Sequence, residues 1–232
     1  MPDDILSDIP QFAGLAGPER RVVAAETRLG SLAPGEALFV QGDPADRFFL
    51  LKDGRLKVTQ VTAEGQSLIV RIVNPGEFFG FAPALQRESY PATCEAIVDS
   101  AALVWPRHRW EAVLSAAPSV TQSVVQAIGR KLDEAHTRLR EMTTEEAAPR
   151  VAHLLLRLQV EAGDHATAAP DGGVELPYPL TRQDIADMSG STLHTVSRIM
   201  ASWEAQGVLG RGRRKVIIAD PAALEKITAT EE

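Results

Sequence analysis

Residues 180–200 read LTRQDIADMSGSTLHTVSRIM, and this stretch constrains the chain more than any other. Thr181 is a good N-cap for a helix running to about Ser189, because its hydroxyl can accept from a backbone N–H that has no partner inside the helix. Gly190 sits at the break, where a left-handed residue is wanted. Ser191 or Thr192 caps a second helix that runs to about Gln206 and ends at Gly207. Ala186 lies four residues before the glycine, where two crossing helices need a small side chain. Val196 and Ile199 follow it at six and nine residues as inward anchors. Helix, glycine turn, helix is the helix-turn-helix pattern. The following GVLGRGRRKVIIAD reads as a hairpin, the wing of a winged helix.

A helical wheel divides the second helix into two faces. Val196, Ile199, Met200 and Trp203 share one, which must be core. His194, Ser197, Arg198 and Ala201 share the other. A solvated face normally carries Glu and Lys, whereas this one carries small polar groups, one His and one Arg. That composition suits the major groove of duplex DNA. Arg matches guanine O6 and N7, and hydroxyls suit phosphates and base edges. The bland alternative is a plain exposed helix. The net charge of −7 weighs against nucleic acid, yet between Arg198 and Lys215 five cations (Arg198, Arg211, Arg213, Arg214 and Lys215) stand against Glu204 alone. Screening makes such local charge decide.

The first half has a different texture. From about 31 to 105, short β-rich runs (EALFVQG, RFFLLKDG, RLKVTQVT, QSLIVRIV, ATCEAIV, AALVWP) alternate with turn signals such as GDPAD, KDG and NPGEFFG. Evenly spaced short strands with glycine turns predict an all-β roll or barrel. Residues 3–30 before it read as a short helical lead-in. After Pro106 the texture becomes helical. Val125, Ile128, Leu132, Ala135, Leu139 and Met142 recur at spacings of 3, 4, 3, 4 and 3, the a/d seam of a coiled coil. A helix packed on its own barrel is one reading; the strict alternation favours a partner helix, and a symmetric homodimer is the simplest partner. Residues 149–160 form another amphipathic helix, EAGDHATAAPDGG a loop, VELPYPL a short strand, and the tail from about 220 a short helix. The expected architecture is α+β: a β-roll sensor domain over 1–117, a dimerisation helix over 118–144 and a winged helix-turn-helix domain over 145–232.

With 232 residues, 44% of them hydrophobic, two domains with real cores are affordable. No apolar run reaches the roughly 20 residues that span a bilayer. The acidic start MPDDILSDIP lacks a cationic n-region, so no signal peptide is expected and a cytoplasmic, membrane-free protein fits. A single cysteine, Cys94, excludes an internal disulfide and cannot hold an iron–sulfur cluster; a buried small side chain is its plainer reading. No Ser/His/Asp set or phosphate loop stands out. A cupin-like β-roll enzyme needs clustered His ligands, and none of the five histidines (108, 136, 153, 165, 194) lies within the first 107 residues, which hold all the roll's predicted strands. No enzyme is expected. A protein–protein module with a degenerate DNA domain would be expected to lose the recognition arginine, and Arg198 is present.

Together LAPGEALFVQGDPADRFFLLKDGRLKV, NPGEFFG and LTRQDIADMSGSTLHTVSRIM make almost the whole chain resemble the CRP/FNR family of bacterial transcription regulators. The resemblance implies a cyclic-nucleotide-binding-like β-roll and a homodimer on a palindromic duplex site. An effector is expected to shift the dimer helices and so the DNA helices, and RNA polymerase is an implied partner. Carried over by position, Arg182, Gln183, Thr192 and Thr195 touch phosphates and Arg198 reads a guanine in each half-site. Leu193, Ser197 and the wing cations Arg213 and Lys215 complete the expected surface. His194 departs from the family pattern, which usually has Glu there. A neutral His donates one hydrogen bond and accepts one, so base preference beside the guanine changes.

The same resemblance places the effector pocket around Gly80, Phe81, Tyr90 and Pro91, with His136 from the long helix. Phe81 stands where cyclic-AMP binders carry a ribose-binding Glu, and Tyr90 and Pro91 where they carry an Arg–Ser pair. Arg87 and Ser89 are near but not adjacent, and Ala135 and His136 replace hydroxyl residues. Without a bidentate Arg, the cyclic phosphate lacks its main charge partner. Cyclic AMP is therefore not expected, although a cyclic nucleotide or another small ligand stays the alternative effector. FGFAPAL, SYPAT and LHTVSR look most like the Nnr-type branch, which implies a response to nitric oxide through haem and control of denitrification genes. His136 is the implied haem ligand, with Tyr90, Cys94 or a methionine as alternatives.

Overall fold

The computed structural model describes residues 5–6, 9–65, 67–82, 87–163, 166–169, 173–212 and 215–229. It divides into two compact units, Met1–Glu134 and Ala135–Glu232. The first begins with a 3-10 turn at Pro10–Phe12 and α1 (Gly17–Ala24). Then come β1 (Arg28–Leu32), β2 (Ala37–Phe39), β3 (Arg47–Asp53), β4 (Leu56–Val61), β5 (Ser67–Val73), β6 (Phe78–Phe79), β7 (Thr93–Ala96) and β8 (Ser100–Pro106). Among the described residues they pair antiparallel into two four-stranded sheets, ordered β1-β8-β3-β6 and β2-β7-β4-β5.

Two of these strands have no β-rich run of their own in the sequence. β1 starts inside the helical lead-in: Arg28 and Leu29 pair with Val104 and Leu103, so sheet pairing overrides the local pattern. β6 lies in NPGEFFG, a turn signal by composition that the family resemblance makes the strand leading into the effector pocket; it is only two residues long, with Phe78 and Phe79 opposite Leu50 and Phe49.

The period of two along each strand builds two cores. In β3, Phe48 and Leu50 face a cluster with Leu103, Trp105 and Phe12, while Phe49 and Leu51 face Phe39, Phe79, Tyr90 and Cys94 between the sheets. Adjacent phenylalanines of β6 split the same way, Phe78 to the first cluster and Phe79 to the second. The buried Trp105 indole donates to the Val23 carbonyl of α1 at 2.8 Å, so its one polar atom is satisfied.

After a 3-10 turn at Arg107–Arg109 come α2 (Trp110–Ala116) and α3 (Pro118–Thr144). Val120 and Val124 of α3 join the first core. Five apolar seam positions are exposed in the single chain: Val125 63%, Ile128 42%, Leu132 55%, Leu139 62% and Met142 57%. Ala135 is exposed beside them.

The second unit continues with α4 (Ala147–Ala162), α5 (Arg182–Ser189), α6 (Leu193–Ala205) and α7 (Pro221–Thr228). A small antiparallel sheet is ordered β11-β12-β10-β9, with β9 (Thr167–Ala168), β10 (Val174–Glu175), β11 (Leu209–Gly210) and β12 (Ile217–Ile218). β9 lies in the segment expected to be a loop, held by pairing with β10. Val151, Leu154, Leu155 and Leu158 put one face of α4 in this core, with Ile185, Val196, Trp203 and Leu224.

Candidate nucleic-acid interface and ligand cavity

Local chemistry builds the helix-turn-helix. The Thr181 hydroxyl accepts from the Asp184 N–H (3.1 Å) while the Asp184 carboxylate accepts from the Thr181 N–H (2.7 Å), a reciprocal cap on α5. Gly190 is left-handed at φ 63 and ψ 35. A Cβ there would stand 3.0 Å from Met142 Cε, so the turn has little room for a side chain as well as the wrong hand for one. Thr192 caps α6 by accepting from the Thr195 N–H at 3.2 Å. Val196, Met200 and Trp203 are buried. Ile199, expected among them, is only half-buried, at the boundary of the core face.

On the opposite face, Leu193, His194 and Arg198 are exposed, and Thr195 and Ser197 are half-buried. Arg198 has no hydrogen bond or ion pair among the described residues, so its five donors face solvent. Arg182 differs: its guanidinium pairs with Glu204 at 3.0 Å, joining the start of α5 to the end of α6. Gln183 donates to Asp187 at 2.6 Å. In the wing, Lys215 pairs with Glu175 at 2.7 Å, and Arg211 is exposed. Arg213, Arg214 and His165 lie outside the described residues.

Arg150 is the residue that sequence reasoning missed here. From the first turn of α4 its Nε donates to the Ser189 carbonyl (3.2 Å) and its Nη2 to the Ser191 hydroxyl (3.3 Å), while Nη1 bonds the Glu145 carbonyl just before α4. One guanidinium thus ties the α3–α4 junction to the turn that presents α6. Its partners in the turn, Ser189 and Ser191, lie about 40 positions away, so no local pattern marks it. Glu141, buried on α3, is held by Arg157 of α4.

The first unit carries a cavity of about 400 Å³ that opens to solvent. Phe39, Phe79, Phe81 and Tyr90 give it an aromatic wall, and Arg71 and Arg87 are its cations. Gly80, Phe81, Tyr90 and Pro91, expected from sequence, all line it. Gly80 has φ 75, and a Cβ there would meet the Phe49 ring at 2.6 Å. His136, expected in this pocket, is exposed on α3 and is not among the described residues of the wall. Tyr90 stacks on Phe39 with centroids 4.0 Å apart. Its buried hydroxyl donates to the Arg47 carbonyl (2.6 Å) and accepts from the Arg47 N–H (3.2 Å). Burial pushes the Tyr90 hydroxyl up to about 12, against the opposing pull of that backbone bond. Cys94, between the sheets, is also pushed up to about 12 by burial, with Arg71 opposing. Both groups are therefore neutral at ordinary pH.

Two family matches cover the chain in parts. Residues 29–117 match the cyclic nucleotide-binding domain family, and residues 149–227 match the Crp-like helix-turn-helix domain family. The Cyclic AMP receptor protein of Thermus thermophilus is 27% identical over 218 residues, covering 94% of this chain and 96% of that one. The transcriptional activator protein FnrL of Cereibacter sphaeroides is 28% identical over 84% of this chain and 77% of its own length. Among solved structures, a CRP/FNR-family transcriptional regulator from Thermus thermophilus superposes with a TM-score of 0.73 at 25% identity, covering 88% of this chain and all of that one. These relatives are transcription regulators, not enzymes. Among the described residues no helix is long and apolar enough to cross a membrane.

Proposed function

We propose that this chain is a transcription regulator of the CRP/FNR type, which the matches to the two domain families support, and that it acts as a homodimer on a two-fold symmetric duplex, gated by an effector in the β-roll. The observation that carries the DNA half is Arg198, exposed and unpaired among the described residues, on a helix whose opposite face is buried. Helix-turn-helix regulators of this family bind DNA and usually act as dimers. The exposed seam from Val125 to Met142 supplies the apolar surface for a partner α3. In the groove, Arg198 takes guanine O6 and N7, His194 sets the neighbouring base, and Thr192 and Thr195 approach phosphates. Arg182, Gln183 and Lys215 reach phosphates once their carboxylate partners release them. RNA polymerase is the partner through which such a dimer acts on transcription.

Selection of duplexes from a random library with the wild-type protein tests this reading. A consensus with two inverted half-sites about one helical turn apart, each containing a guanine, is expected. A single asymmetric site, or no enrichment, contradicts it.

For the effector, the Nnr-type resemblance makes nitric oxide sensed through haem, and control of denitrification genes, the finer proposal. A haem iron takes an imidazole, thiolate, thioether or phenolate. Tyr90 is the single such group among the described wall residues, and its hydroxyl is committed to the Arg47 backbone. The cavity wall therefore does not fit a haem, and the nitric-oxide reading stands on the resemblance. Anaerobic reconstitution tests it: a Soret band that shifts with nitric oxide and changes duplex binding supports it, and no such band excludes it.

A further inference from the structure

The cavity wall combines an aromatic surface with two guanidiniums and, among its described residues, no carboxylate. We propose that this cavity binds a small aromatic carboxylate, its ring against Phe39, Phe79 and Tyr90 and its anion toward Arg71 and Arg87. The inference rests on the reading of this cavity as the effector site.

Three features select that class. The first is charge. A carboxylate leaves water only where it gains charged, directional donors. Arg71 is half-buried and held by Glu77 at 3.6 Å, a long pair that leaves most of its five donors for a ligand. Arg87 at the rim has no side-chain partner among the described residues. The second is the scarcity of acceptors. Sugar hydroxyls need them, but Phe81 is apolar, the Tyr90 hydroxyl is committed, and Gln60 is the one other uncharged polar side chain among the described wall residues. A nucleoside's ribose would find few side-chain acceptors for its hydroxyls there. The third is shape. The Phe39 and Tyr90 rings stack nearly parallel (19°), with Phe79 beside Phe49 in the same cluster. A volume of about 400 Å³ is at the small end of ligand sites, which begin at about 300 Å³.

Calorimetry on the full-length protein tests this with three acids (phenylacetate, benzoate and indole-3-acetate), phenylacetamide as the neutral control, and cyclic AMP. At least one acid is expected to bind. For phenylacetate, the amide is expected to be weaker by about tenfold or more, the scale of one charge-assisted contact. Arg71→Gln combined with Arg87→Gln should lose a similar factor. Arg87→Gln alone alters only an exposed residue and serves if the double variant unfolds; it should lose a smaller factor. The proposal is overturned if none of the acids binds, if acid and amide bind equally, if cyclic AMP binds more tightly, or if the folded arginine variants bind as wild type does. Duplex binding measured in the same samples separates the two readings. An acid that binds without changing duplex affinity supports the ligand class and removes the gate. Duplex binding without any acid binding removes the ligand class and leaves the DNA reading standing.

Discussion

The DNA-facing helices and the β-roll cavity are both binding surfaces, but the chain builds them in opposite ways. The helix-turn-helix comes from 27 consecutive positions, 181–207, and each side chain's place follows from caps, a left-handed glycine and the helical period. The cavity gathers Phe39, Val58, Arg71, Phe79 and Tyr90 from across some fifty positions, through pairing of strands distant in sequence. The first surface leaves Arg198 exposed; the second buries Tyr90 and locks its hydroxyl to the backbone. A surface written locally tolerates changes in its outer residues, whereas one written by tertiary packing ties recognition to stability.

The largest effect is expected from Leu132→Asp, which puts a charge into the exposed seam. Sedimentation should drop from dimer to monomer mass and specific duplex binding should be lost, while acid binding in the cavity persists. An unchanged mass would remove α3 as the dimer seam. Gly190→Val comes next. A β-branched residue at φ 63 costs about 1–3 kcal/mol, so thermal unfolding of the second unit should move down and duplex binding weaken. If unfolding does not shift, the turn is not the constraint described above.

Alkaline pH acts on the other region. The Cys94 thiol and Tyr90 hydroxyl have ordinary values of 9.0 and 10.0 and are each held near 12 by burial. The folded state thus keeps protons that the unfolded chain releases. Their stabilisation is fully present below about pH 9 and falls as pH rises toward 12. Thermal unfolding followed from pH 8 to 11 should decline, and Cys94→Ala should flatten the thiol's share. An equal slope in the variant would show that the thiol is not the titrating group. The smallest effect belongs to Glu204→Gln. Freeing Arg182 should raise duplex affinity by up to about fivefold, the scale of a surface ion pair, and steepen its salt dependence. Weaker binding would mean that the pair positions α6.

Legibility follows the same division. Thr181, Gly190, Thr192, Val196 and Arg198 were readable because their roles depend on neighbours within a few residues. The seam was readable because it repeats. Much of the roll was readable from short strands and glycine turns, but β1 was not, and β6 only through the family resemblance, since their state is decided by pairing with β8 and β3. Four cavity residues came through the family resemblance, whereas Phe39, Phe79 and Ala92 carry no local mark. Arg71 carried a signal that went unused: a cation inside the apolar run SLIVRIV. Arg150 had none, because its role exists only once Ser189 and Ser191 fold back upon it.

The central claim is that Arg198 reads a guanine, and a double-mutant cycle tests it most directly. Affinities of wild type and Arg198→Ala are measured at one salt concentration on the selected duplex and on the same duplex with the half-site guanine replaced. Each single change should cost about 1–3 kcal/mol per half-site, and the second change should then cost almost nothing more. Fully additive losses, or an Arg198→Ala protein that still discriminates as wild type does, would contradict the account.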